Sequence, residues 1–197
     1  MGALAFKFDS RKTAQAVAFL LRKSRDGKTS KGFLVKMLYG ADKRQIRQTG
    51  IPLTGDTPYS MESGPVLSTT LNLLGGERSD VFWEKHISKS PKGDTSRIQL
   101  IDESIGDDLL SQSEKESLTK AWEVFGGMTW KQVVAFCHDP KNFPEWEDPG
   151  KSRKLITFEK LYSVVDRRPE LADEIAMLDR EDALIEKLVS DAKACAS

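Results

Sequence analysis

Three side chains between Ala41 and Val66, in ADKRQIRQTGIPLTGDTPYSMESGPV, are of types suited to acid–base work: Asp42, Asp56 and Tyr59. If the turn folds back onto the preceding helix, two carboxyls and a phenol could share a proton-transfer site. The same groups can instead lock a corner, with Asp42 accepting hydrogen bonds from the PLTGD turn or from Tyr59. Buried carboxylates are usually satisfied by donors, so the lock is the expected role. Other candidates are sparser. Cys137 stands next to His138, but no second Cys/His pair completes a zinc-ligand pattern. His138 falls at the end of a predicted helix, where the dipole favours imidazolium, and a capping or loop-anchoring role is expected. His86 falls in a predicted strand. Gly27-Lys28-Thr29 echoes a phosphate loop, but Arg22 stands where that motif needs glycine, and a predicted helix rather than a strand precedes it. Nucleophile elbows, HExxH and GxGxxG are absent. No catalytic residue, metal or cofactor is expected, and the chain is not expected to be an enzyme.

The elements that must position these groups read mainly as helices. Ser10 is the predicted cap of a first helix, RKTAQAVAFLLRKSR, which Gly27 stops. Ser30 caps a second, KGFLVKMLYGADKRQIRQT, closed by Gly50 and Pro52. At about 100° per residue, Lys36, Lys43 and Arg47 share its wet face, while Leu34, Val35, Leu38, Tyr39 and Ile46 share the other. Asp42 falls inside that apolar arc, where an unpaired carboxylate costs several kcal/mol, roughly. Gly55 can take positive φ in the turn, and Asp56 can bond nearby backbone N–H groups. TPYSME is a short strand candidate. Gly64-Pro65 is predicted to open a helix bearing Leu67, Leu71 and Leu74, closed by Gly75-Gly76. VFWEKHISKS and SRIQLI are predicted to pair as a hairpin about PKGDT. Capping boxes mark two later helices, Ser111/Glu114 and Thr129/Gln132. The first buries Leu118, Ala121, Trp122 and Phe125, the second Trp130, Val133, Val134 and Cys137. DPKNFPEWEDPGKS is a loop pinned by Phe143 and Trp146, and ITFEKLYSVVD is read as a helix. From Pro169 a long amphipathic helix is predicted.

Bulk properties narrow the function classes. The 197 residues carry 30 Lys+Arg against 30 Asp+Glu, so whole-molecule attraction to nucleic acid or anionic lipid is not expected. Charge is nevertheless polarised. Residues 1–48 hold twelve bases and three acids, and residues 170–197 hold eight acids and three bases. With two cysteines, no secretory leader and no apolar run of spanning length, a cytoplasmic protein without a membrane partner is expected.

Taken together, KMLYGAD, GIPLTGD, Tyr59 and SGPV followed by a leucine-rich helix resemble the Panacea domain of SocA-like antitoxins. LLSQSEKESLTKAWEVFGGMTWKQVVAFCHDPKNFPEW is similar to that family's later segment. The resemblance spans roughly residues 10–162. Gly40 stands where a bulkier residue is common, leaving room on that face. Carried onto this sequence, the family motif comprises Leu38, Tyr39, Ala41, Asp42, Pro52, Thr54, Gly55, Asp56, Tyr59, Gly64, Pro65 and Val66.

The resemblance implies an antitoxin that neutralises a cognate protein toxin by direct contact, without catalysis. An AAA+ protease, to which the toxin is presented, and a second copy of the chain are further partners it allows. The alternatives are a phage- or prophage-encoded interaction or regulatory protein without a toxin, or an enzyme using Asp42 and Asp56. The expected fold is α+β, mainly α-helical, with a small antiparallel sheet or hairpin. Residues 1–166 are expected to form the domain and 167–197 an amphipathic helix packed on it or on a partner. Ile175, Leu178, Ile185 and Leu188 are its candidate contact residues.

Overall fold

The computed structural model describes residues 6–90 and 96–165. The predicted C-terminal helix, with Ile175, Leu178, Ile185 and Leu188, and the PKGDT turn lie outside these residues. The fold is α+β and mainly helical, with two small antiparallel sheets.

Helix α1 (Ser10–Lys23) leads through the tight turn at Gly27 into β1 (Lys28–Ser30). Asp9, not Ser10, caps α1, its carboxylate accepting from Lys12 N. Ser10 is left to donate to Asp80 Oδ2 at 2.6 Å. The Gly27-Lys28-Thr29 segment therefore follows a helix and enters a strand, the reverse of a phosphate loop.

Helix α2 (Lys31–Thr49) is the axis of the fold. Ser30 caps it and Gly50, at φ 85°, ends it in the left-handed conformation, as its sequence predicts. It packs against α5 (Gln112–Phe125), α3 (Ser68–Gly75) and β3 (Gly64–Leu67). Being covered on so many sides, it buries more than one stripe. Lys36, read from its spacing as solvated, is 2% exposed because β3 lies across it, and its ammonium donates to Pro65 O at 2.8 Å.

Two further expectations are corrected. Gly64-Pro65 belongs to β3, which pairs with β2 (Pro58–Met61), and α3 begins only at Ser68. VFWEKH is helix α4 (Val81–His86), capped by Asp80, whose carboxylate accepts from Phe82 N and Trp83 N. The hairpin therefore does not form. Strand β4 (Arg97–Gln99) pairs instead with β1, and an isolated Ile87–Leu100 bridge is the remnant of the expected pairing. Both predicted capping boxes form, on α5 and on α6 (Trp130–His138). Val133 and Cys137 are buried, whereas Trp122, Trp130 and Val134 are half-buried. A two-residue strand β5 (Lys154–Leu155) extends the β3–β2 sheet, and α7 (Phe158–Val164) follows, capped by Thr157.

Candidate functional site

The turn after α2 does fold back, and it brings Asp42 and Asp56 to one corner. Asp42 is 4% exposed. Its Oδ1 accepts from Thr54 N at 2.9 Å and its Oδ2 from Thr54 Oγ1 at 2.5 Å. Thr54 Oγ1 in turn accepts from Asp56 N at 3.1 Å. Asp56 takes the larger share of donors. Thr57 N and Thr69 N reach its Oδ1 at 2.7 and 2.9 Å, and Thr70 N and Thr70 Oγ1 reach its Oδ2 at 2.7 and 2.8 Å. Helix α3 has no side-chain cap from the residue before it. Asp56 supplies that cap from a distant turn, where a carboxylate also complements the helix dipole.

The corner is closed as well as saturated. Asp42 and Asp56 border a cavity of about 10 Å³, walled by Tyr39, Ile46, Pro58 and Leu67 and covered by Phe158 and Leu161 of α7. That is no more than the space one water needs. Tyr162 of α7 donates to Gly50 O, tying the cover to the end of α2. Gly55, at φ 65°, admits the N-terminal segment so closely that a Cβ there would lie 2.2 Å from Lys7 O. Burial raises the Asp42 carboxyl to about 7, against the pull of the Thr54 donors and with a smaller push from Asp56.

Tyr59 stands apart from this lock. It lies in β2 between Val66 and Leu155, half-buried, with the Arg153 guanidinium 4.8 Å from its ring centroid. Apart from Tyr59, the motif residues Leu38, Tyr39, Ala41, Asp42, Pro52, Thr54, Gly55, Asp56, Gly64, Pro65 and Val66 are all buried. Gly64, at φ 106°, sits where a Cβ would lie 2.5 Å from Cys137 Cβ. The space beside Gly40 is taken by Phe125, 3.3 Å from where a Cβ would stand.

A second buried cluster involves a residue that sequence reasoning passed over. Glu145 is 1% exposed, although it belongs to a polar loop. Tyr39 Oη donates to its Oε1 at 2.7 Å, and Lys43 Nζ to its Oε2 at 2.8 Å. Lys43 also donates to Asn142 O at 2.8 Å and lies over the Phe143 ring. Burial, then the Glu145 charge, raises the Tyr39 phenol well above its ordinary value. The only sequence signal for Glu145 was its place between Phe143 and Trp146, which the loop pins inward.

His138 ends α6, lies with Nε2 2.8 Å from Glu62 O and stacks on Trp146 at 4.1 Å. Carbonyl oxygens only accept, so the ring nitrogen is the donor and His138 fastens the β2–β3 turn to the loop. His86 lies in α4, with Nδ1 2.8 Å from Phe82 O. Cys137 is buried, and burial pushes its thiol up to about 11, away from nucleophilic chemistry. Among the described residues, no three His, Cys, Asp or Glu side chains are grouped to hold a metal ion. No described helix is long and apolar enough to cross a membrane.

The corner thus holds two carboxyl groups by donors and leaves no room for a substrate between them. Residues 34–147, from the middle of α2 through the Glu145 loop, match the family model for the antitoxin SocA-like Panacea domain. No curated protein and no solved structure matches the chain. With the match covering more than half of its length, the chain belongs to the SocA-like antitoxin family, through its Panacea domain.

Proposed function

We propose that this protein is an antitoxin that neutralises a cognate toxin by direct protein–protein contact and performs no chemistry itself. The observation that carries this reading is the filled corner. Asp42 and Asp56 are engaged by backbone and hydroxyl donors around about 10 Å³ of space, so the motif supports a rigid body that displays other surfaces. Burial of nearly all motif residues supports the same division of labour, since a buried side chain cannot touch a partner.

A nucleic-acid role has less support than the N-terminal charge suggests. Lys31 and Lys36 are buried, Lys12 pairs with Glu114 at 2.5 Å, and Arg22 donates to Ile105 O at 2.5 Å. Part of the excess of bases in residues 1–48 is therefore taken up by burial or pairing, while Lys7, Arg11, Arg25 and Lys28 stay exposed.

The test is co-expression with the neighbouring open reading frame. Rescue of growth, with the neighbour's product co-purifying, supports the antitoxin. Growth arrest despite folded protein, with nothing bound, overturns it. The cytoplasm is the proposed compartment. Faster loss of the toxin in cells that hold an intact AAA+ protease would assign an adaptor role as well, and a concentration-dependent sedimentation shift would assign a homodimer.

A further inference from the structure

A groove of about 460 Å³ lies between α2, α5, α6 and the loop at residues 139–147. Phe125, Phe136 and Phe143 give it an aromatic floor, and Val124 stands at its edge, 43% exposed. Its rim is cationic. Lys43, Arg44, Arg47, Lys120 and Lys141 all line it, and among the described residues no Asp or Glu does. Lys43 is held by Glu145, and Lys120 has only an exposed pairing with Glu123, of the weak kind.

Arg44 adds an independent observation. Its Nε is the only buried side-chain nitrogen or oxygen without a hydrogen-bond partner among the described residues. Buried donors normally find acceptors, and this one, in the groove wall, has none, so the Arg44 guanidinium is not fully used by the fold.

The wall is completed by Val164 and Val165, where the described chain ends. The sequence beyond has the complementary character. Residues 170–197 carry eight acids against three bases, and Leu171, Ile175 and Leu178 recur at helical spacing. Leu171 is six residues past Val165, so it can reach at most about 20 Å from the groove wall. A tether this short keeps the segment at high effective concentration over the groove.

We propose that this groove is the docking site of the chain's own C-terminal segment, residues 170–197, in cis. Its apolar side chains cover Val124 and Phe136, and its carboxylates meet Arg44, Lys120 and Lys141. The inference stands independently of the antitoxin reading.

The test is amide hydrogen exchange on the full chain, followed by mass spectrometry. Exchange over residues 171–188 is expected to be slowed at least about tenfold relative to an unprotected chain. Lys120→Glu/Lys141→Glu should lose that protection. Glu174→Lys/Glu181→Lys should lose it too, and the four changes together should recover part of it. Slow exchange in α2 serves as the folding control in the same spectra. If the groove variant fails that control, the Glu174/Glu181 variant decides alone. Unprotected exchange over 171–188 in the unaltered chain, or protection indifferent to every reversal, overturns the proposal. Protection that disappears on dilution assigns the groove to a second copy's segment and overturns docking in cis.

Discussion

Asp42 and Arg44 are two residues apart on α2, yet they belong to different kinds of place. Asp42 faces the corner, where each oxygen has a donor, the neighbouring Asp56 gathers four, and α7 seals the space. Arg44 faces the groove, where cations gather over aromatic rings and one buried donor has no acceptor. Charge that a fold satisfies internally is architecture. Charge left unmet beside an apolar floor is offered to something else. The residues that look most like chemistry in the sequence are thus the least able to meet a ligand.

If that contrast is right, the greatest damage comes from the corner's best-connected side chain. Asp56→Ala strands four donors, three of them in α3, and is expected to cost about 3–5 kcal/mol by equilibrium urea unfolding. A loss under about 1 kcal/mol would erase the distinction between the two regions.

Asp42 offers a second way to separate them, through pH. Its carboxyl is raised from 3.8 to about 7 by burial, so between those values the folded chain holds a proton that the unfolded chain has released. Stability from this group is therefore full below about pH 4, declines as pH rises towards 7 and levels off above. The displacement from 3.8 to about 7 sets an upper bound of about 4 kcal/mol on the decline. Asp42→Asn keeps an acceptor for Thr54 N, replaces the oxygen that accepts from Thr54 Oγ1 by an amide NH2, and should flatten that part of the stability–pH curve. A curve that rises across the same window would mean the carboxylate is the stabilised form.

Next comes backbone. Gly55→Ala places a Cβ 2.2 Å from Lys7 O in a left-handed conformation, and a loss of about 2–3 kcal/mol is expected from thermal or urea unfolding. The smallest effects should come from groups outside the lock. Tyr59→Phe leaves the ring under Arg153 and should shift stability by less than about 0.5 kcal/mol, as should Lys141→Glu at the exposed groove rim.

The sequence carried the parts of this picture that local chemistry encodes. Ser30 and Gly50 bracket α2, Ser111/Glu114 and Thr129/Gln132 mark α5 and α6, and Asp42 betrays itself by lying in an apolar arc. What it hid depends on distant partners. Proline suits both a helix start and a strand, and it is β2 that makes Gly64-Pro65 a strand. Val81, Phe82 and Trp83 favour strands by type, but the Asp80 cap overrides them. Lys36 is buried by a strand 29 residues away, and Glu145 by Tyr39, 106 residues earlier. No periodicity along one element records such contacts.

The most direct measurement of the central claim is protection by Asp42→Asn at matched levels of folded protein, co-expressed with the neighbouring gene product. A corner that only builds the body predicts growth rescue and co-purification equal to those of the unaltered chain. Folded Asp42→Asn protein that still binds its partner but no longer protects the cell would contradict it and return the carboxylate to chemistry.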